Sequence, residues 1–132
     1  MFDLNIPILV VDDMMTMRKI VVKTCQGIGF KNIQEAADGA KAWEIISSSK
    51  PAIGLVISDW NMPNCSGLEL LKRVRGDSRF KSMPFMLVTA ETEKTQIIEA
   101  MKAGVSGYVL KPFTKETLTA QLEDVHKKIS ST

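Results

Sequence analysis

The sequence predicts an α/β protein built on one doubly wound sheet of five parallel strands, accompanied by five helices. Short apolar runs alternate with longer segments of helical period, and this alternation occurs five times along the chain. The first, third and fourth runs are apolar throughout, which is typical of parallel strands covered on both faces. Because crossovers between parallel strands are right-handed, we expect helices on both sides of the sheet.

The N-terminal part of the chain contributes the first two strand–helix pairs. The run IPILVV at positions 6–11 predicts strand one, and GFKNIQEA at positions 29–36 predicts a turn and a short strand two. Asp38 and Gly39 are placed to open the second helix. The apolar positions expected to face inward are Met17, Ile20, Val21, Thr24 and Ile28 in helix one and Ala42, Trp43, Ile45 and Ile46 in helix two.

The third pair begins with AIGLVISD at positions 52–59, an apolar strand that ends in an acidic residue. Ser66 precedes Glu69 by three residues, which is the spacing of a capping box and predicts the start of a helix. The apolar face of that helix consists of Leu68, Leu71 and Val74.

Two further strands complete the sheet. MPFMLVTA at positions 83–90 predicts strand four, and SGYVL at positions 106–110 predicts strand five. Gly104 is placed to end the helix between them. The positions expected to face inward are Ile97, Ile98 and Met101 in helix four and Leu118, Leu122, Val125 and Ile129 in an amphipathic helix five.

Length and composition indicate one domain with a single core, because the chain has 132 residues of which 45% are hydrophobic. Any output must then leave by contact with another molecule. The 17 basic and 15 acidic residues are scattered, which argues against nucleic-acid binding. The N-terminus lacks a basic leader, and no apolar run approaches the ~20 residues of a membrane span, so we expect a cytoplasmic protein. Cys25 and Cys65 are expected to be free thiols.

Polar residues follow the predicted strands where ligands gather in doubly wound sheets, outside the carboxyl ends. Asp12 and Asp13 follow strand one, Asp59 ends strand three, Thr89 ends strand four, and Lys111 follows strand five. If strands one and three are neighbours, the three carboxylates converge and repel one another. A divalent cation relieves this repulsion, and hard oxygen ligands with room for water favour Mg²⁺ over Ca²⁺.

Each of these residues also has a simpler interpretation. Asp12 or Asp13 alone can cap helix one, since acidic residues are common at helix starts. Lys111 can be a solvated surface lysine, and the Thr89 hydroxyl can bond to the backbone. A cap needs only one of the two aspartates, however, and all of these residues fall at the same edge of one sheet. Their coincidence therefore favours a joint site.

Four motifs in this order resemble the receiver domain of bacterial two-component response regulators: ILVVDD, SDWNMP, VTAE and GYVLKPF. The resemblance covers essentially the whole chain. The longer matches TMRKIV, DWNMPN and SGYVLKPFT are similar to the single-domain chemotaxis regulators of the CheY type. The resemblance implies a flavodoxin-like fold with strand order 2-1-3-4-5, and one receiver domain over residues 1–132 without an output domain.

The resemblance implies that Asp59 accepts a phosphoryl group from the phosphohistidine of a histidine kinase. Asp13, Asp59 and the backbone carbonyl of Asn61 would bind Mg²⁺, with Asp12 assisting through water. Such a protein catalyses its own phosphorylation and dephosphorylation and is not a turnover enzyme. A haloacid-dehalogenase-like phosphatase is a weaker alternative, because those enzymes carry a second aspartate where this chain has Asn61.

The resemblance also implies a switch and an output surface. Lys111 would pair with the acyl phosphate, Thr89 would move to hydrogen-bond it, and the ring of Tyr108 would turn inward. The output surface on helix four, strand five and helix five would comprise Thr92, Lys94, Ile97, Tyr108, Leu110 and Gln121.

In the chemotaxis branch, the output surface binds the flagellar motor switch. The expected partners are a chemotaxis histidine kinase and that motor protein, with a phosphatase as a further candidate, and the protein is expected to be a monomer. The alternative is a phosphorelay intermediate that passes its phosphoryl group to another histidine protein. The sequence departs from the family pattern at Ser66, Met14, Met15 and Gln121, and the two methionines are placed to shield an acyl phosphate from water.

Overall fold

The computed structural model describes residues 2–49, 52–62, 65–90 and 94–130, and it has the predicted parallel sheet in the order β2-β1-β3-β4-β5. The strands are β1 Pro7–Val11, β2 Asn32–Ala36, β3 Leu55–Asp59, β4 Phe85–Thr89 and β5 Gly107–Leu110. The helices are α1 Met15–Ile28, α2 Gly39–Ser48, α3 Gly67–Arg75, α4 Lys94–Lys102 and α5 Lys115–Ser130. None of the helices within the described ranges is long and apolar enough to cross a membrane.

The three central strands are buried on both faces, as their uniform apolar composition predicts. Side chains alternate between the two faces, so that Leu9 and Val11 enter one core cluster while Ile8 and Val10 enter the other. Residues of α2, α3 and α4 complete the first cluster, and residues of α1 and α5 complete the second. The sheet thus has a helical layer on each side.

The predicted helix boundaries are confirmed by their hydrogen bonds. The Asp38 side chain accepts from the backbone N–H of Lys41 at 2.8 Å and caps α2. Both bonds of the Ser66–Glu69 capping box are present at the start of α3. Gly104, with a φ of 90°, follows α4 in a left-handed conformation that favours glycine.

The prediction that the large apolar residues of α4 face inward is wrong. Ile98 and Met101 are 49% and 65% exposed, Ile97 is half-buried, and Ala100 is the α4 residue that enters the core. Ala100 belongs to the first core cluster and Ala103 packs against it, so the side of α4 that faces the core carries small side chains. The large apolar residues, which gave the strongest sequence signal, lie on the flank and the outer side.

Two other helical positions differ from the prediction. Ile20 is 45% exposed, because α1 packs through Val21, Val22 and Cys25, about a quarter turn away from the predicted face. Ile129 is 42% exposed. The helix α5 has 16 residues and is roughly 24 Å long, so its last turn extends past the end of the sheet and its core.

Arg75, at the end of α3, ties three segments together at the amino edge of the sheet. Its Nη1 donates to the Met83 carbonyl at 2.7 Å and its Nε donates to the Gly104 carbonyl at 2.8 Å. Its Nη2 donates to the Ser106 hydroxyl at 3.2 Å, which also accepts from the backbone N–H of Phe85. Burial lowers the pKa of the Arg75 guanidinium below its ordinary value.

We expect Arg75→Met to lower the free energy of unfolding by about 2–4 kcal/mol, because it leaves two backbone carbonyls without their charged donor. Urea unfolding followed by tryptophan fluorescence measures this change. Lys72→Met, at an exposed position of the same helix, is the matched control and should change the stability by less than about 0.5 kcal/mol. Equal effects of the two substitutions would contradict this role of Arg75.

Candidate functional site

Strand register brings the predicted acidic residues together at the carboxyl edge of the sheet. Val11 of β1 pairs with Ser58 of β3, so the residues that follow each of them lie at the same level. Carboxylate oxygens of Asp12, Asp13 and Asp59 lie within 4.8 Å of one another. The predicted convergence of these three side chains is therefore observed.

Asp12 is the buried member of the cluster, with an exposure of 2%. Burial raises the pKa of its carboxyl above the ordinary value, and the charges of Asp59 and Asp13 act in the same direction. A hydrogen bond from the Met14 N–H at 2.9 Å and the charge of Lys111 oppose this increase in pKa without cancelling it. Asp12 thus also accepts a hydrogen bond from the backbone just before α1, which is part of what its simpler interpretation as a helix cap predicts.

Lys111 enters the site and is not a solvated surface lysine. Its ammonium lies 3.0 Å from Oδ1 of Asp59 and 3.7 Å from Oδ2 of Asp12, and its side chain is 18% exposed. Its backbone N–H donates to the Thr89 carbonyl at 2.8 Å, which fixes the start of the side chain at the sheet edge. One ammonium therefore faces two of the three carboxylates.

Thr89 is the last residue of β4 and is buried, with an exposure of 4%. It pairs in register with Leu110, next to Lys111. Trp60, directly after Asp59, is 8% exposed and donates its backbone N–H to the Val88 carbonyl. Both residues therefore lie at the same edge as the acidic cluster.

Two glycines hold the loop that leaves Asp59, and sequence reasoning did not identify them as parts of the site. The N–H of Gly67 donates to the Trp60 carbonyl at 2.8 Å, and a Cβ at Gly67 would collide with the Asp59 carbonyl. A Cβ at Gly39 would lie 2.6 Å from Sγ of Cys65. The only sequence signal was their position at helix starts, which does not report such close contacts.

Arg18 is a further residue near the site that the sequence analysis missed. Its guanidinium donates to the Asp12 carbonyl and to the Glu35 carboxylate, both at 2.9 Å. In sequence it is one basic residue among several on a helix, and the bonding partner Glu35 lies 17 positions away.

The structure describes some of the residues that were predicted to form the output surface. Tyr108 and Gln121 are half-buried, and Leu110 is 40% exposed. These three residues, together with Met101, line a groove of about 570 Å³. Thr92 and the side chain of Lys94 lie outside the described residues.

Three of the positions that depart from the family pattern lie at the starts of helices. Met14 and Met15, at the start of α1, are 59% and 64% exposed beside the acidic cluster. Ser66 forms the capping box, so its hydroxyl has a structural role at the start of α3.

The donor set suits a hard divalent cation. Three carboxylates supply oxygen ligands, and the exposure of Asp13 leaves room for water. The formal charge of −3 on the carboxylates exceeds the single charge of Lys111, so the cluster has a net attraction for cations.

Comparisons with known proteins agree with this geometry. The sequence pattern of the response regulator receiver domain matches residues 8–123. Chemotaxis protein CheY-3 of Vibrio cholerae is 44% identical over 125 residues, 95% of this chain and 95% of that protein. Chemotaxis protein CheY1 of Helicobacter pylori is 45% identical over 118 residues, 89% of this chain and 94% of that protein.

Solved structures agree as well. A structure of Vibrio cholerae chemotaxis protein CheY4 superimposes with a TM-score of 0.83 at 35% sequence identity, covering 92% of this chain and 98% of that one. The receiver pattern and these two relatives each cover most of the chain. On this evidence the chain belongs to the response regulator receiver domain family.

Proposed function

We propose that this protein is a phosphorylation-activated switch in which Asp59 accepts a phosphoryl group from the phosphohistidine of a histidine kinase. The observation that carries the proposal is the position of Asp59, whose carboxylate contacts Lys111 and lies within 4.8 Å of two other carboxylates. A charge cluster of this kind at the carboxyl edge of a buried sheet suits chemistry better than structural support. Membership of the receiver family supports the same role.

In the proposed reaction, an Asp59 carboxylate oxygen forms a bond to phosphorus while the bond from phosphorus to the imidazole nitrogen of the kinase breaks. The electron pair of that bond stays on the imidazole. The product is an acyl phosphate, which replaces one negative charge at Asp59 by about two. Lys111, already 3.0 Å from Asp59, is placed to pair with this additional charge.

Asp13, Asp59 and the Asn61 backbone carbonyl would hold Mg²⁺, with Asp12 assisting through water. When bound, the ion supplies positive charge for the phosphoryl oxygens. The acyl phosphate remains on the protein until water hydrolyses it, so the protein resets itself and does not release a product in multiple turnovers. Met14 and Met15 flank the cluster and would limit the access of that water.

The proposed switch runs from Asp59 through Thr89 to Tyr108. The hydroxyl of Thr89 would move toward a phosphoryl oxygen, and the half-buried ring of Tyr108 would turn inward. A nearly complete population shift needs about 5.5 kcal/mol of differential stabilisation. Several charge-assisted hydrogen bonds from Lys111 and Thr89 are of that order.

We infer a role in chemotaxis, in the cytoplasm, with a chemotaxis histidine kinase as donor and the flagellar motor switch protein as target. Two relatives that are 44% and 45% identical to this chain over 125 and 118 residues are chemotaxis proteins. The receiver pattern covers residues 8–123, and the output of this domain would leave by contact, through the groove beside Tyr108 and Leu110.

Addition of Mg²⁺ and then of a small acyl-phosphate donor should change the fluorescence of Trp60 in two steps, since Trp60 adjoins the phosphoacceptor. Intact mass should show one added phosphoryl group. Asp59→Asn should remove the second step and the mass gain while the fold remains intact. Asp124→Asn, at an exposed carboxylate on α5, is the matched control and should label like wild type. Stable labelling of the Asp59→Asn protein would overturn the assignment.

Without divalent cations, Asp12→Asn should raise the free energy of unfolding by about 1 kcal/mol at neutral pH, because it removes one of three mutually repelling charges. The raised pKa means that the folded wild type holds this proton more tightly than the unfolded chain. Wild-type stability relative to the variant should therefore fall as pH rises from about 3.8 through the raised pKa.

Urea unfolding at several pH values measures the difference between Asp12→Asn and wild type. Mg²⁺ should reverse the order at neutral pH, since a ligand that binds only the folded state stabilises the protein with the intact site. If the variant is less stable than wild type in metal-free buffer at neutral pH, attraction to Lys111 outweighs the repulsion and the electrostatic argument fails.

Phosphorylation should raise the affinity for the motor switch protein by about tenfold or more, within the usual range of allosteric coupling. Leu110→Glu should abolish this binding while Asp59 is still phosphorylated, because it replaces an exposed apolar side chain of the groove by a charged one. Ile20→Glu makes the same change at an exposed position on α1 and is the control. In the phosphorelay alternative the histidine protein would dock on α1 and the loops of the site. Loss of phosphoryl transfer to a histidine protein in Ile20→Glu, with Leu110→Glu unaffected, would therefore favour that alternative.

A further inference from the structure

Arg18 connects the acidic cluster to the neighbouring edge strand. Its side chain is 15% exposed and lies at the end of the first turn of α1. Nη1 donates to the Asp12 carbonyl at 2.9 Å, and Nε donates to Oε1 of Glu35 at 2.9 Å. The guanidinium thus bridges the strand–helix junction after β1 and the strand β2.

The carbonyl that Arg18 holds belongs to the peptide unit between Asp12 and Asp13. Because a peptide unit is planar, a bond that fixes its oxygen also fixes the direction in which the chain leaves toward Asp13. The N–H of Asp12 is fixed separately by the Ala36 carbonyl at 3.1 Å. Oδ1 of Asp12 accepts from the Met14 N–H at 2.9 Å, so the junction is held by this bond together with those from Arg18 and to Ala36.

Glu35 anchors the other end of the bridge. It lies in β2 in register with Val10 of β1, and its carboxylate also accepts from Nζ of Lys19 at 2.8 Å. The hydrogen bonds and charges of Lys19 and Arg18 hold the pKa of Glu35 below its ordinary value. The Arg18–Glu35 bond is therefore charge-assisted, and the planar guanidinium has a defined orientation toward Asp12.

We propose that Arg18 is a positioning residue for the acidic site, which sets the relative placement of the Asp12 and Asp13 carboxylates through the carbonyl of Asp12. The inference rests on the proposed function, because it takes Mg²⁺ as the ligand of that site. Arg18 bonds to a backbone oxygen and not to a carboxylate of the cluster, so its effect on the metal is indirect.

The direction in which Mg²⁺ affinity changes when Arg18 is replaced distinguishes a positioning role from a purely electrostatic one. Removal of a positive charge near three carboxylates should by itself strengthen Mg²⁺ binding. Loss of the bond to the Asp12 carbonyl should weaken it, because the carboxylates then leave the arrangement that the ion requires. A purely structural role would alter stability without this specific loss of affinity.

The test is Mg²⁺ titration of the full chain, followed by the fluorescence of Trp60. Arg18→Met should raise the dissociation constant of Mg²⁺ by about tenfold, which is the usual scale when a residue that orients a metal ligand is removed. Lys19→Met is the matched control. It also removes one positive charge that pairs with Glu35, but it leaves Arg18 bonded to the Asp12 carbonyl. Its dissociation constant should be unchanged or lower. Urea unfolding in metal-free buffer confirms that both variants are folded.

Arg18→Lys provides the second variant. It keeps the charge but cannot bond to Glu35 and the Asp12 carbonyl in the same planar geometry, so it should also weaken Mg²⁺ binding. At saturating Mg²⁺, the rate of phosphorylation by a small acyl-phosphate donor should return to near the wild-type value in both Arg18 variants. This recovery is expected because the defect lies in metal binding and not in Asp59.

The outcomes distinguish this inference from the proposed function. If wild type binds Mg²⁺ and Arg18→Met binds it equally or more tightly, the positioning role is overturned and the proposed function stands. An equal loss in Lys19→Met would also overturn the role, since that variant keeps the bond to the Asp12 carbonyl and the loss would then come from the contact with Glu35 that both basic residues share. If wild type itself does not respond to Mg²⁺, the proposed site fails and the role of Arg18 fails with it.

Discussion

The constraint on which the structure depends is the placement of three carboxylates within 4.8 Å of one another at one edge of the sheet. Their mutual repulsion opposes folding, so the rest of the molecule must hold them in place. The central strands do so by burial on both faces, which fixes the level at which β1 and β3 end. A site with unsatisfied charge is therefore compatible with stability because it lies at the ends of strands that are buried on both faces.

Basic side chains compensate the cluster in two different ways. Lys111 approaches the carboxylates of Asp59 and Asp12 and offsets their charge directly. Arg18 donates to the carbonyl of Asp12 and is paired with Glu35, so it fixes the backbone with less effect on the net charge of the cluster. This division leaves the carboxylates with excess negative charge, which is what cation binding requires.

The fold and most of the site could be predicted because both follow from local patterns. The apolar runs located the strands, and polar residues at their ends located Asp12, Asp59 and Lys111. Gly67 and Arg18 could not be found in this way, since their importance comes from contacts between distant segments. The α4 prediction failed for a different reason. Ala100 is the buried residue of α4, and a small side chain gives a weak signal in a pattern that detects large apolar residues.

The elements around β5 differ in how firmly their contacts hold them, and this difference bears on which of them would move after a change at Asp59. Arg75 fastens the turn before β5 at the amino edge, and Lys111 joins the end of β5 to the site at the carboxyl edge. Between them, α4 contributes Ala100 to the core, while Ile98 and Met101 remain exposed. A change in charge at Asp59 would thus act on a strand held at both ends. Ala100 is the buried residue among those described in α4, whereas α3 and α5 each bury several, so a displacement of α4 would expose less apolar surface than a displacement of either.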